Sequence, residues 1–441
     1  MKKKVSGKTV KKSIDYKQMK GDSRWFVRDR FGMFIHWGLY AMAARHEWVK
    51  KREQICDADY EVYFKHFDPD LYDPREWARL ARKAGMKYFV VTAKHHEGFC
   101  LWNSKYTGYK STKTPYGKDL LAPMVKAFRE EGLRVGFYYS LLDWHHPDFT
   151  VDSCHPMQHN QAERAKNSKR DVRKYAAYMR NQVRELLTGF GQIDLLWFDF
   201  SYPGEDGKGH LEWESEKLIK LVRKLQPDIL VDNRLDLPGV GDFITPEQWQ
   251  PPAGMTDEKG KPVVWEACQT FSGSWGYHRD EMTWKSVPQL LGMLIDGVSK
   301  DGNLLLNVGP TARGEFDYRA RERLEGIGEW MRRHSRSIYG CGPAPDGLEP
   351  PPDCRYTYNP VTRRLYLHVL AWPFGTIYCP GLEGRFEYAQ FLHDGSEVRF
   401  SAPGEAAWAG LGSDKFKKMM AFNLPVVKPH TEVPVIEIFM K

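Results

Sequence analysis

Short apolar runs alternate, over residues 31–337, with segments whose apolar residues recur at helical spacing. Phe31–His36 reads as a first strand, Lys87–Ala93 as a second, Arg134–Leu141 as a third and Ile193–Phe200 as a fourth. Asp228–Asp232, Val263–Thr270 and Asn303–Val308 read as three more. Between them the pattern predicts a helix over Arg75–Ala84, with Trp77, Leu80, Ala81 and Ala84 on one face and Gly85 just past its end. A second helix is capped by Asp119 and closed by Gly132; others are predicted over Asp171–Gly191, Glu214–Leu225, Trp284–Lys300 and Tyr318–Ser337. Strand–helix alternation of this kind specifies a parallel (β/α)8-like TIM barrel. No eighth strand is readable, so the barrel is expected to be irregular. Asp143 to about Ser168, rich in His and Asp, reads as one long loop.

The pattern changes near Cys341. Gly342-Pro343 and Pro350-Pro351-Pro352 read as a linker. Beyond them lie short alternating runs at Arg355–Tyr358, Arg364–Val369, Thr376–Tyr378, Glu387–Leu392, Glu397–Phe400 and Val433–Phe439, with no long helix. This predicts a C-terminal β-sandwich. The expected organisation is a basic disordered tail (1–20), a catalytic barrel (21–340) and the sandwich (341–441).

The formal charge of +8 invites a polyanion partner, but eight lysines against one aspartate in residues 1–20 carry +7 of it. The body is nearly neutral, and no nucleic-acid-binding motif is present, so no nucleic-acid partner is expected. No apolar run reaches the roughly 20 residues of a membrane span, and the N-terminus has no signal-like apolar region. Seven scattered cysteines without metal or redox spacing suit reduced thiols in a cytoplasmic protein. Aromatic content is 14%, including 15 Trp, a surplus that suits a sugar site because rings pack on the apolar faces of sugars.

Polar residues gather where the predicted strands end, the position at which a barrel builds its active site. His36-Trp37-Gly38 ends the first strand, with Glu47-Trp48 close behind; Lys94-His95-His96-Glu97 ends the second; Trp197 and Asp199 end the fourth; Asn233-Arg234 follows the fifth. Asp199 follows Leu195-Leu196-Trp197-Phe198, and a carboxylate there is costly unless hydrogen-bonded or catalytic. It is either a solvated strand end or a nucleophile or base. Glu247, in Gly241-Asp-Phe-Ile-Thr-Pro-Glu247, is a loop glutamate on the same face and a partner for Asp199 in glycoside hydrolysis. His36, His95 and His96 are satisfied core histidines or, in a second reading, ligands of a metal-dependent hydrolase. His145-His146 is a substrate loop or surface. Arg234 is a counter-charge for either carboxylate, and Trp48, Trp197 and Trp275 are core rings or a sugar platform.

Together these blocks resemble the retaining α-L-fucosidases of glycoside hydrolase family 29. The resemblance runs from about Trp25 to Gly340 and includes Phe31-Gly-Met-Phe-Ile-His-Trp-Gly38, Lys94-His-His-Glu-Gly-Phe-Cys-Leu-Trp102, Gly136-Phe-Tyr-Tyr-Ser140, Leu196-Trp-Phe-Asp199, Ser274-Trp-Gly-Tyr277 and Val298-Ser-Lys-Asp-Gly-Asn-Leu-Leu-Leu-Asn-Val-Gly-Pro310. It implies an exo-acting enzyme that releases terminal α-L-fucose from fucosylated oligosaccharides or glycosides, needs no cofactor or metal, and is soluble, with a homo-oligomer left open. It implies Asp199 as nucleophile and Glu247 as acid/base. His36, Glu47, Trp48, His95, His96, Tyr138, Trp197 and Arg234 match fucose-binding positions, and Trp275 joins them as an aromatic candidate. Glu97 stands where the family commonly has Asp, a position that supports the site from behind. A catalytically dead fucose-binding protein and a related 6-deoxy or galacto-configured substrate are the competing expectations.

Overall fold

The computed structural model describes residues 20–402 and 419–441. The expected basic tail therefore lies outside the described residues, apart from Lys20. Seven parallel strands among the described residues form the barrel sheet: β1 (Phe31–Ile35), β2 (Tyr88–Lys94), β3 (Arg134–Ser140), β4 (Leu195–Asp199), β5 (Leu230–Val231), β6 (Trp265–Thr270) and β7 (Gly302–Val308), in the order β5-β4-β3-β2-β1-β7-β6. The gap between β5 and β6 is filled by residues 243–247, where the sequence pattern predicts a loop. Ile244 N donates to Val264 O, Glu266 N to Ile244 O, Cys268 N to Pro246 O and Gln248 N to Cys268 O, each at 2.9–3.0 Å, which is a parallel ladder. Towards β5 the pairing stops after the Asp232–Phe243 bridge. Pro246, whose carbonyl accepts from Cys268, has no N–H to give β6, so one rung is missing from that ladder. This short segment is the eighth barrel position.

Side chains alternate along each strand. Met33, Ile35, Phe89, Val91, Phe137, Leu196 and Phe198 face the surrounding helices. Phe34, Tyr88, Val90, Tyr138, Leu195, Trp197 and Leu305 fill the barrel interior, with Trp25 and Phe26 packed among them. Deleting an interior ring such as Phe34 would cost about 3–5 kcal/mol. The same period of two carries His36 and Asp199 inward at the strands' C-terminal ends. The helices hold these strands from outside. In helix Pro74–Lys83, capped by Asp73, residues Trp77, Ala78, Leu80 and Ala81 are buried. Asp119 Oδ1 accepts the N–H groups of Leu121 and Ala122 at the start of helix Leu121–Glu130. Helix Val287–Ser299 begins with a reciprocal Ser286–Gln289 capping box, three residues later than its pattern predicts. Helix Asp57–His66 was not foreseen: Tyr60 is its one buried residue, so it has almost no apolar stripe.

The C-terminal region holds two antiparallel sheets. One has the order β11-β14-β9-β8, from β8 (Cys354–Asn359), β9 (Arg364–Val369), β11 (Phe386–Phe391) and β14 (Val435–Met440). The other has the order β10-β13-β12, from β10 (Thr376–Pro380), β12 (Phe400–Ser401) and β13 (Met419–Asn423). Leu365, Leu367, Ile436 and Ile438 of the first share a core with Ile377, Cys379, Met420 and Phe422 of the second. β13 is absent from the sequence reading, and the run expected at Glu397–Phe400 is reduced to a bridge at Glu397 and the short β12. The sandwich is tied to the barrel helices by Trp330 Nε1–H to Val433 O at 2.8 Å, Thr357 Oγ to Ser337 O at 2.7 Å and the Arg355–Asp296 ion pair at 2.8 Å.

Candidate active site

Asp199 is the last residue of β4, and pairing with β3 holds its backbone in register opposite Ser140. Its carboxylate is buried and fully engaged. Oδ2 accepts the Tyr138 hydroxyl at 2.7 Å, and Oδ1 meets Arg234 Nη1 at 2.7 Å. Burial pushes this carboxyl's pKa up and the neighbouring Glu247 charge adds to that, while Arg234 and Tyr138 pull it back. The other terminal nitrogen of Arg234 lies 2.7 Å from Glu247 Oε2. One guanidinium thus bridges both carboxylates. It is itself fixed: Nε donates to Thr245 Oγ1 at 2.9 Å, and the plane lies 4.4 Å above the Trp197 ring. Asp232, buried, accepts the Phe198 N–H and so braces β4 from β5.

Around this pair the second reading of the histidines, as metal ligands, finds no support in their bonding. Among the described residues no group of three His, Cys, Asp or Glu is arranged to hold an ion. Instead each histidine is a neutral hydrogen-bonding group. His36 Nδ1 lies 2.6 Å from Asn307 Oδ1, whose amide nitrogen donates to the Trp275 carbonyl. The proton is therefore on His36 Nδ1, leaving Nε2 as an acceptor. His96 Nδ1 donates to Ser140 Oγ at 2.7 Å, because that hydroxyl spends its own proton on Leu142 O. Its Nε2 then points towards Asp199, 3.9 Å from Oδ2. Burial holds His36 down at about 3 and depresses His95 and His96 strongly as well. His95 packs between the other two rings, at 5.5 and 4.0 Å, with Nδ1 unpartnered. Neutral imidazoles with free nitrogens suit the hydroxyls of a sugar.

The pocket formed by these groups is also lined by Trp48, Tyr138, Trp197, Phe200 and Trp275. Trp48 packs on His96 and Phe200, and Trp275 on His36. Trp197 is a floor: it is buried beneath Arg234. Glu47 stands behind Trp275, its Oε2 accepting the N–H groups of Trp275 and Gly276 at 3.1 and 2.9 Å. Its Oε1 lies 3.0 Å from His46 Nδ1, a nitrogen that already accepts the Trp48 N–H. Burial raises Glu47 to about 7 and lowers His46 to about 3. Glu97 lies further back, tying the Leu39 N–H at 2.9 Å and the Tyr60 hydroxyl; a Cβ on Gly38 would come within 2.4 Å of it. The structure thus gathers all eleven sequence-derived site residues, with Glu47 in the supporting layer. His145 and His146 line no part of the pocket. Their rings pack on Tyr109 and Tyr178, and Asp143 binds both backbone N–H groups.

Four contributors escaped the sequence reading. Thr245 anchors Arg234, and Asn307 and Ser140 set the histidine tautomers. Phe200 lines the pocket with φ 79°, an unusual backbone for a bulky residue directly after the nucleophile candidate. Only the spacing of Asn303 and Asn307, both inward on an otherwise apolar strand, carried a readable signal.

A barrel mouth with two carboxylates on one guanidinium, neutral hydrogen-bonding rings and tryptophan walls has the equipment of a glycoside hydrolase. The particular family follows from comparison. The family model described as alpha-L-fucosidase matches residues 1–336, and the chain belongs to that family. Alpha-L-fucosidase isoenzyme 1 from Paenibacillus thiaminolyticus superposes with a TM-score of 0.88 at 46% identity, covering 97% of this chain and 99% of that one. A family 29 α-L-fucosidase from Bacteroides thetaiotaomicron, trapped as a covalent intermediate with 2-fluoro-fucosyl fluoride, gives 0.79 at 28% identity over 94% and 95%. Human plasma alpha-L-fucosidase is 28% identical over 82% of this chain and 78% of its own length.

Proposed function

We propose that this α-L-fucosidase works by double displacement, with Asp199 and Glu247 in the two carboxylate roles. Asp199 attacks the anomeric carbon of a terminal α-L-fucosyl residue while Glu247 protonates the departing oxygen. Glu247 then takes a proton from water, which releases fucose from Asp199. The observation that carries this reading is the shared Arg234, whose two terminal nitrogens each meet one of the carboxylates beside a single pocket. The covalent intermediate trapped in the Bacteroides relative supports the same chemistry here. His36, His95 and His96 accept or donate to ring hydroxyls, Tyr138 steadies the nucleophile, and Trp48 and Trp275 enclose the sugar's apolar edge. A cytoplasmic setting is part of the proposal and rests on seven cysteines, all free.

The test is to trap the intermediate. After reaction with 2-fluoro-fucosyl fluoride, peptide mapping should place one added fluorofucosyl mass on Asp199. The same mass on another carboxylate would reassign the nucleophile.

A further inference from the structure

Beside the fucose pocket, and sharing Trp48 and Trp275 with it, a second cavity opens to the surface. Its volume is about 540 Å³, against about 80 Å³ for the inner pocket. The inner pocket is the smaller space, and a group too large for it would continue outward past Trp48 and Trp275. Gln248 lines this cavity and directly follows Glu247. On the reading of Glu247 as proton donor, which this inference assumes, the group entering the cavity is the one being released.

The lining has a definite charge. Lys51 and Arg52 stand in its wall with Gln158 and Gln248, the latter's amide nitrogen donating to Thr270 Oγ1 at 3.0 Å. The acids nearest in sequence are already engaged: Glu53 by Arg45 at 2.7 Å and Asp57 by Lys50 at 2.6 Å. Among the described residues the one lining acid is Glu47, which is buried and committed to Trp275, Gly276 and His46. Lys51 extends over the Trp48 ring at 5.3 Å, at the boundary of the two cavities. His46, Gln54 and Gln248, all in this lining, adopt positive φ of 89°, 52° and 59°.

We propose that this cavity is the leaving-group subsite and that it selects fucosides whose adjoining sugar carries an anionic carboxylate or sulfate, which Lys51 and Arg52 neutralise.

The experiment compares fucose release from one neutral fucosylated oligosaccharide and from its sialylated and sulfated forms. Wild-type enzyme should show kcat/KM at least about fivefold higher on one or both anionic forms at low salt, with the ratio shrinking as ionic strength rises. The two arms separate carboxylate from sulfate as the anion recognised. Lys51→Gln/Arg52→Gln should bring the anionic-to-neutral ratio to about one, and Arg52→Glu alone should lower it. The ratio is the readout, so a general loss of activity does not obscure it. Equal rates on charged and neutral substrates, or a ratio that survives the double substitution, overturns the proposal. Calorimetric binding of the same three oligosaccharides to Asp199→Gly reads the subsite without turnover. Preference for an anionic ligand there supports it, and equal binding overturns it. Preferential binding by wild-type enzyme that releases fucose from none of them would instead overturn the catalytic reading and leave the subsite standing.

Discussion

Asp199 and Glu247, the proposed nucleophile and proton donor, end walls that are built differently. Asp199 ends a strand paired on both sides: with β3 from Leu195 to Asp199, and with β5 at Leu195 and Leu196. Its side chain is 12% exposed and holds two partners at 2.7 Å. Glu247 ends a segment that runs along β6 but leaves β5 after one bridge, and its side chain is 40% exposed. The nucleophile must meet a carbon at bonding distance and in line, so it belongs on the stiffest part of the barrel. The proton donor has to reach oxygens on leaving groups of varied shape, and a partly released segment lets it adjust. Arg234 couples the two, bonded to Asp199 on one side and, through Thr245 and Glu247, to the looser segment on the other.

The sharpest way to break this comparison is to remove the stiff side. Asp199→Gly should lower kcat on an aryl α-L-fucoside by about 10⁴-fold or more, roughly 5.5 kcal/mol, with an unchanged melting temperature or a small rise from relief of a buried charge. Azide should restore part of the rate by occupying the vacated position. Near wild-type turnover would show that another group attacks.

Glu247→Ala should behave differently with different substrates. An oligosaccharide, whose departing oxygen needs a proton, should lose about 10²–10⁴-fold in kcat. A nitrophenyl fucoside, with a leaving group that departs as an anion, should lose far less in its first step. Equal losses on both would move the proton-donor role elsewhere.

Arg234→Gln tests the coupling. It leaves Asp199 buried without its cation, so burial's upward push on that carboxyl is opposed by the Tyr138 hydroxyl alone. We expect about a 10²-fold fall in kcat/KM, and an acid limb of the pH–rate profile displaced to higher pH. A profile that keeps its acid limb would detach that limb from Asp199.

The smallest effect concerns the base of the looser wall. Glu266 of β6 donates its backbone N–H to Ile244, and its side chain is buried against the Tyr88 hydroxyl. Burial raises this carboxyl from 4.5 to about 8. Between those values the folded protein holds a proton the unfolded chain releases. Stability from this group is therefore full below about 4.5 and lost as pH rises through about 8. Glu266→Gln keeps the neutral shape and should flatten the fall in melting temperature between pH 6 and 9, a range chosen to cross that value. An unchanged slope would assign the decline to other groups.

The stiff wall was the legible one. β1 to β4 carry long apolar runs, and their ends were readable because a polar cluster after a buried run is rare. The eighth position was not, because Asp-Phe-Ile-Thr-Pro-Glu is short, mixed and interrupted by proline. It becomes a strand only by pairing with β6, a contact no local pattern records. The same holds for side-chain states. That His36 and His96 carry their protons on Nδ1 depends on Asn307 and Ser140, residues 271 and 44 positions away in sequence. Helix Asp57–His66 and strand β13 show the other limit: with little burial contrast along an element, periodicity has nothing to report.

The connection between Asn233 and Gly241 has one consequence for inheritance. Because the chain between Asn233 and Gly241 is not laddered to β5, residues added or lost there shift no strand of the barrel. The proton donor and the adjoining Gln248 can then drift together, as a cassette, while the attacking carboxylate stays in place. Descendants of such a scaffold would acquire new tastes in what they cut from fucose without relearning how to cut it. A laboratory that varies residues 235–241 among homologues, keeping Arg234 and Thr245, is working at a seam that leaves the barrel strands untouched.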